Sequence, residues 1–136
     1  MTTKFSGFDH DFAFGEAGEN FVKNLLTGGK KVEVKTDRIW KKTGNLYIEH
    51  RCWQNLSQTW QDSGIKTTEA DYWAFVIQQS ILIFPTGVVK DACKNPIGEL
   101  PGGDFTNPSE GYLITVEQLL EENKKWSQVG LSFATP

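Results

Sequence analysis

Along residues 15–63 the period of the apolar positions changes from helical to alternating. In GEAGENFVKNLLT (15–27), Phe21, Val22, Leu25 and Leu26 recur at helical spacing, with acids at the start and Gly28-Gly29 as a stop. That pattern predicts a helix with an acidic first turn. Over 31–37, Val32 and Val34 alternate with Glu33, Lys35 and Asp37, the signature of a half-buried strand. Residues 45–51 set Leu46, Ile48 and His50 against Tyr47, Glu49 and Arg51, and Lys-Lys-Thr-Gly between the two runs is turn chemistry. The two runs therefore read as a hairpin with an unusually charged outer face.

Beyond it, WQNLSQTWQDS (53–63) is polar and reads as a loop or irregular edge. TTEADYW predicts a short helical turn capped by Thr67 or Thr68, leading into a buried strand WAFVIQ whose partner is ILIF (81–84), with Gln79-Ser80 between them. Pro85 opens a helix to about Asn95. NPIGELPGGDFTNPSEG (95–111) has loop composition, GYLIT is a short strand, and TVEQLLEENKKW is an amphipathic helix capped by Thr115. The order α-β-β-(loop)-β-β-α-β-α predicts an α/β fold, a central mixed sheet flanked by helices.

At 136 residues the chain suits a single domain, 1–136, with a core that needs no disulfides. Composition is that of a globular protein, since 38% is hydrophobic and 23% charged. No apolar run reaches the roughly 18 residues of a membrane span, and the N-terminus lacks the pattern of a signal peptide, so a cytoplasmic protein is expected. Cys52 and Cys93 stand apart with no metal-binding spacing. The net charge of −3 does not announce a nucleic-acid binder. Its distribution is uneven, however, with nine lysines and arginines against seven acids in residues 1–60 and five against ten thereafter. Lys30, Lys31, Lys35, Arg38, Lys41, Lys42 and Arg51 form a basic collar that can steer a polyanion, although a solvated face explains such a run equally well.

A turn centred on Thr43 sets Asp37 directly opposite Glu49. Facing like charges destabilise a strand pair by up to ~1 kcal/mol. A divalent cation between them removes that cost, because Mg²⁺ takes one or two carboxylates together with waters and phosphate oxygens. Glu16 and Glu19 share a helix face. Each is a candidate third acid, and each is also explained by the positive end of the helix dipole.

A helix with Gly15-x-x-x-Glu19, a strand ending in Asp37, a turn, then Glu49-His50-Arg51 resembles the PD-(D/E)XK nuclease core. The eleven residues between Asp37 and Glu49, together with EVKTD, TGNLYIE and SGIKTTEADYWAF, are similar to small phage-encoded and Holliday-junction-resolvase-type members over residues 12–90. The resemblance implies a restriction-endonuclease-like α-β-β-β-α-β core and a metal-dependent DNA endonuclease, with branched (junction) DNA one candidate substrate. It implies Mg²⁺ or Mn²⁺ held by Glu19, Asp37, Glu49 and the backbone carbonyl of His50. It also implies a homodimer, and action in a bacterial host if the chain is phage-encoded. One position departs from the family: Arg51 stands where a lysine is expected. Arginine stays protonated, so it can grip a phosphate but cannot act as a base. Lys35, on the face of Asp37, is the candidate migrated lysine. Reading Glu33-Val34-Lys35 as the motif instead needs an earlier acid, and residues 20–32 contain none. The departure also motivates an alternative, a non-catalytic DNA- or protein-binding module that keeps the fold. A second is an interaction protein with a merely wet face.

Other residues carry weaker signals. FDHDF (8–12) groups three polar side chains that do not converge in an extended chain, and a loop is expected there. Trp53 and Trp60, in a polar segment, are candidates for stacking on bases or for dimer contact. GGDFTNPSEG lacks the Lys-Ser/Thr of a P-loop. Thr68 and Asp71 suit either the site or capping.

Overall fold

The computed structural model describes residues 2–128, with side chains from Phe12 onward. Two compact units divide the chain: residues 31–125 form one, and α1 (Thr2–Thr27) and the end of α4 (Val116–Gln128) belong to the other. Helix α1 begins earlier than residue 15 and takes in FDHDF, for which the sequence predicts a loop. Among the described residues, no helix is long and apolar enough to cross a membrane.

The larger unit is mixed α/β with two sheets rather than one central sheet. The first has three strands, β1 (Val32–Thr36), β4 (Tyr72–Ile77) and β5 (Ser80–Pro85), in the order β1-β4-β5. Here β1 runs parallel to β4 and β5 antiparallel to it. The second is antiparallel, in the order β3-β2-β7-β6, from β2 (Asn45–Gln54), β3 (Thr59–Asp62), β6 (Gly98–Gly103) and β7 (Pro108–Thr115). The expected β1–β2 hairpin is therefore not a ladder. Lys-Lys-Thr lies in a one-turn helix, α2 (Trp40–Thr43), ended by Gly44 at φ 75°, and it hands the chain from one sheet to the other.

Alternation on β2 is as the sequence predicts as far as His50: Leu46, Ile48 and His50 are buried while Tyr47 and Glu49 are half-buried. On β1 the assignment is reversed. Val32 and Val34 are exposed, the latter at 60%, whereas Glu33, Lys35 and the following Asp37 are half-buried. Local alternation tells that two faces differ but not which one the rest of the fold covers.

The segment read as a loop at 95–111 contains β6 and the start of β7. Its prolines sit where a sheet tolerates them, Pro101 on the edge strand and Pro108 at a strand start. The polar segment 53–63 likewise forms the β2–β3 hairpin, turned at Gln58 with φ 54°. The helical turn expected at 67–73 is displaced to a 3₁₀ turn at Gly64–Lys66. Thr68 instead accepts the Ala70 N–H at 3.1 Å and the Trp73 indole N–H at 3.3 Å. Helix α3 (Thr86–Ala92) starts after Pro85, as expected. Helix α4 opens on a reciprocal cap: Thr115 Oγ1 accepts the Gln118 N–H at 3.0 Å, and Gln118 Oε1 accepts the Thr115 N–H at 2.9 Å. Leu46, Ile48, Trp73, Phe75, Val88, Val89, Ile114 and Leu119 are fully buried, drawing the core from both sheets and from α3 and α4.

Cys52 and Cys93 are free thiols. Burial pushes the Cys93 thiol from its ordinary 9.0 up to about 12. The folded state thus favours the neutral thiol. The stability this confers is complete below pH 9.0 and is lost as pH rises towards about 12. Denaturant titrations should therefore show stability falling across that window, less steeply in Cys93→Ala. At pH 8, iodoacetamide should modify Cys52 at least about tenfold faster than Cys93, since the thiolate is the nucleophile. Equal rates would show that the Cys93 site opens readily.

Candidate functional site

Asp37 directly follows β1, and its carboxylate accepts three backbone N–H groups: Ile39 at 2.8 Å and Trp40 at 3.0 Å on Oδ1, and Tyr47 at 2.8 Å on Oδ2. The first two close the turn into α2 and the third fastens β1 to β2. A carboxylate offers about four acceptor positions, so roughly one remains for another partner. Lys35, two residues back on the same face, pairs with Glu33 at 3.1 Å, and its ammonium lies 5.3 Å from the centre of the Trp73 ring. Lys35, Asp37, Arg38 and Tyr47 line an open cleft of about 570 Å³ whose far wall is Gly102, Gly103 and Asp104. The Tyr47 hydroxyl pairs with Ser109 Oγ at 2.8 Å. Burial, opposed by that bond and aided by the nearby charges of Glu49 and Glu110, raises its pKa.

Glu49 lies two residues beyond Tyr47 on the same face of β2. It is not across a ladder from Asp37, because β1 and β2 belong to different sheets. Its Oε2 accepts the Ser63 hydroxyl at 2.8 Å, and its backbone lies hard against Gly64.

Arg51 has left that face. The β2–β7 register slips between Glu49 and Arg51: Glu49 pairs with Gly111, Arg51 with Glu110, and His50 is the extra residue. A bulge of this kind sets two residues against one and re-aims the side chains beyond it. The Arg51 guanidinium consequently bonds Glu110 Oε2 through Nε at 2.8 Å and through its terminal nitrogen at 2.7 Å. It also lies 4.8 Å from the Trp60 ring, which meets Trp53 edge-on at 5.8 Å. The tryptophans expected to contact substrate or a second subunit are thus partly occupied within the chain.

His50 faces away from Glu49, as expected, and stacks on Tyr112 with ring centroids 4.2 Å apart. Its backbone carbonyl, assigned to the metal by the resemblance, accepts the Ser63 N–H at 3.0 Å. Glu16 and Glu19 are exposed residues of α1, in the other compact unit. Asp71 caps the start of β1, accepting the Lys31 N–H at 2.9 Å. Of the residues singled out from sequence, Lys35 and Asp37 share a cleft and Glu49 shares a strand face with one of its walls. Arg51 and the His50 ring lie on the other side of β2.

Sequence reasoning missed Ser63, Glu99 and Glu110. The two glutamates fall in the Gly/Pro-rich stretch read as a loop, where no alternation marks a strand.

Comparison of the chain with models of known protein families, with curated proteins and with solved structures returned no match.

Proposed function

We propose that the protein is a metal-dependent DNA endonuclease that hydrolyses phosphodiester bonds, built on a restriction-endonuclease-like core and acting in the cytoplasm. The observation that carries the reading is the 2.8 Å bond from the Tyr47 N–H to Asp37 Oδ2. It fastens Asp37 to the strand that carries Glu49 two residues further along, which supports a site drawing on two of the three acids that the resemblance names. Their donor set fits a hydrated Mg²⁺ or Mn²⁺, which needs only one or two carboxylates. Bound there, such an ion lowers the pKa of a coordinated water and neutralises charge on the phosphate. Lys35 and Arg38, lining the cleft beside Asp37, draw in and orient the phosphate backbone. Tyr47 and Ser63 fix the strand face and the Glu49 carboxylate. A two-fold symmetric homodimer would give a chain this small the footprint to hold duplex or junction DNA.

A second reading is favoured by one observation, the pairing of Arg51 with Glu110, which removes the only basic residue of the Glu49 motif from that face. It is a DNA-binding module without cleavage.

Incubation of linear duplex, single-stranded and four-way-junction DNA with Mg²⁺, Mn²⁺ or EDTA separates the two. Glu49→Gln is the control, since its amide oxygen still accepts the Ser63 hydroxyl while the charge is gone. Cutting that needs metal and falls at least about tenfold in E49Q supports the nuclease. DNA binding without cutting, equal in wild type and E49Q, supports the module.

A further inference from the structure

The other side of β2 carries a constellation that this reading does not use. His50, Glu99 of β6 and Glu110 of β7 each offer a ligand atom, and these atoms all lie within 4.8 Å of one another. His50 Nε2 stands 3.8 Å from Glu99 Oε1, beyond hydrogen-bond reach. The imidazole is only 7% exposed, and among the described residues neither Nδ1 nor Nε2 has a hydrogen-bond partner. A buried imidazole always carries at least one N–H donor, and leaving both nitrogens unsatisfied is costly. Such a group calls for a missing partner. From these residues we infer that His50, Glu99 and Glu110 bind a divalent transition-metal cation, separate from any ion held by Asp37 and Glu49.

Geometry and donor chemistry both suit this. The bulge that turns Arg51 away from Glu49 also sets His50 and Glu110 side by side. Tyr112 holds the imidazole plane by stacking. Arg51 directs both of its bonds at Glu110 Oε2, which fixes that carboxylate from outside, as hydrogen-bonding neighbours commonly orient metal ligands. Metal–ligand bonds of about 2.0–2.1 Å place tetrahedral ligands roughly 3.3 Å apart. A small inward swing of Glu99 closes the gap, and its side chain is 56% exposed and free to make it. One imidazole nitrogen with two carboxylates favours Zn²⁺, Co²⁺, Ni²⁺ or Mn²⁺ over Mg²⁺, which prefers an all-oxygen octahedral shell. Three protein ligands leave a position for water. Glu99 and Tyr112 also line a cleft of about 510 Å³ together with Lys66, Lys90 and Lys94, which gives the cluster a route to solvent.

The test is titration of the full chain with Co²⁺, read by visible absorption, and with Zn²⁺ by calorimetry at pH 7.5. The variants are Glu99→Gln, His50→Gln, Asp37→Asn and Glu49→Gln. With a large excess of Mg²⁺ present throughout to fill any site at Asp37 and Glu49, one equivalent should still bind, and E99Q and H50Q should each weaken it at least about tenfold, in line with losses on disturbing a metal shell. D37N and E49Q should bind as wild type does, so the outcome is independent of whether the protein cleaves DNA. If H50Q fails to fold, the exposed E99Q decides. The inference is overturned by the absence of binding up to millimolar metal, by E99Q matching wild type, or by binding lost in E49Q but not in E99Q.

Discussion

Replacing Asp37 by alanine is expected to lower the unfolding free energy by about 3 kcal/mol. Its three N–H bonds, from Ile39, Trp40 and Tyr47, join the end of β1 to α2 and to β2. Hydrogen bonds to a charged acceptor contribute about 1.5–3 kcal/mol each. The total falls below their sum because the site is only part-buried and water replaces some of what is lost. Asparagine should cost about half as much, since its carbonyl oxygen can keep Ile39 and Trp40 while its amide nitrogen cannot accept the Tyr47 N–H. Urea titrations monitored by tryptophan fluorescence should show a lower midpoint for D37A with an unchanged slope, and D37N between it and wild type. With a slope of about 1–3 kcal/mol/M, the alanine shift is roughly 1 M or more. A loss under about 1 kcal/mol would mean that the three bonds do not join the sheets. The outcome bears on function, because a carboxylate this committed to backbone cannot be tested for catalysis by alanine. D37N, which keeps the turn, is the informative variant.

How far these features were legible depends on how local their causes are. The strand 45–51 and its buried side, the cap of Thr115 on α4 and the start of α3 after Pro85 are set by neighbours a few residues away, and sequence spacing finds them. The parallel pairing of β1 with β4 joins Val32 to Tyr72 across forty positions, and nothing in KVEVKTD announces it. Without that partner the valines of β1 look like the inward face, and Asp37 looks like the mate of Glu49. Strand β6 was hidden by composition: GELPGG has the glycines and proline of a loop and pairs only at an edge. The candidate site divides the same way. Lys35 and Asp37 share a cleft because they are two apart on one strand, which a period of two predicts. Arg51 is equally two from Glu49, but a single extra residue at the bulge turns it over and hands it to Glu110. That slip is set by β7 and leaves no trace in the order Glu-His-Arg.

Gly64→Ala is expected to be the other severe substitution, at about 3 kcal/mol, through a cause unrelated to hydrogen-bond chemistry. Gly64 has φ 55°, where an L side chain is strained by roughly 1–2 kcal/mol. A Cβ there would also strike the Glu49 carbonyl oxygen and come within 2.8 Å of the Glu49 carbonyl carbon and 3.1 Å of its Cβ. Two of those three atoms are backbone in the middle of β2, so the 3₁₀ turn has to move instead. Moving it pulls on Ser63, which holds the His50 carbonyl through its N–H and the Glu49 carboxylate through its hydroxyl. Gly44→Ala is the matched control: φ is positive there too, at 75°, and its Cβ would meet open space. It should cost only the conformational strain. Thermal unfolding should therefore place G64A well below G44A, by about 5 °C or more at roughly 3–5 °C per kcal/mol for a domain of this size. If the two melt together, the turn yields to a methyl group without resistance, and Ser63 does not fix Glu49. If G64A melts lower, the carboxylate of Glu49 is set by a close approach that only glycine permits. Any activity that depends on it should then fall in G64A while surviving in G44A.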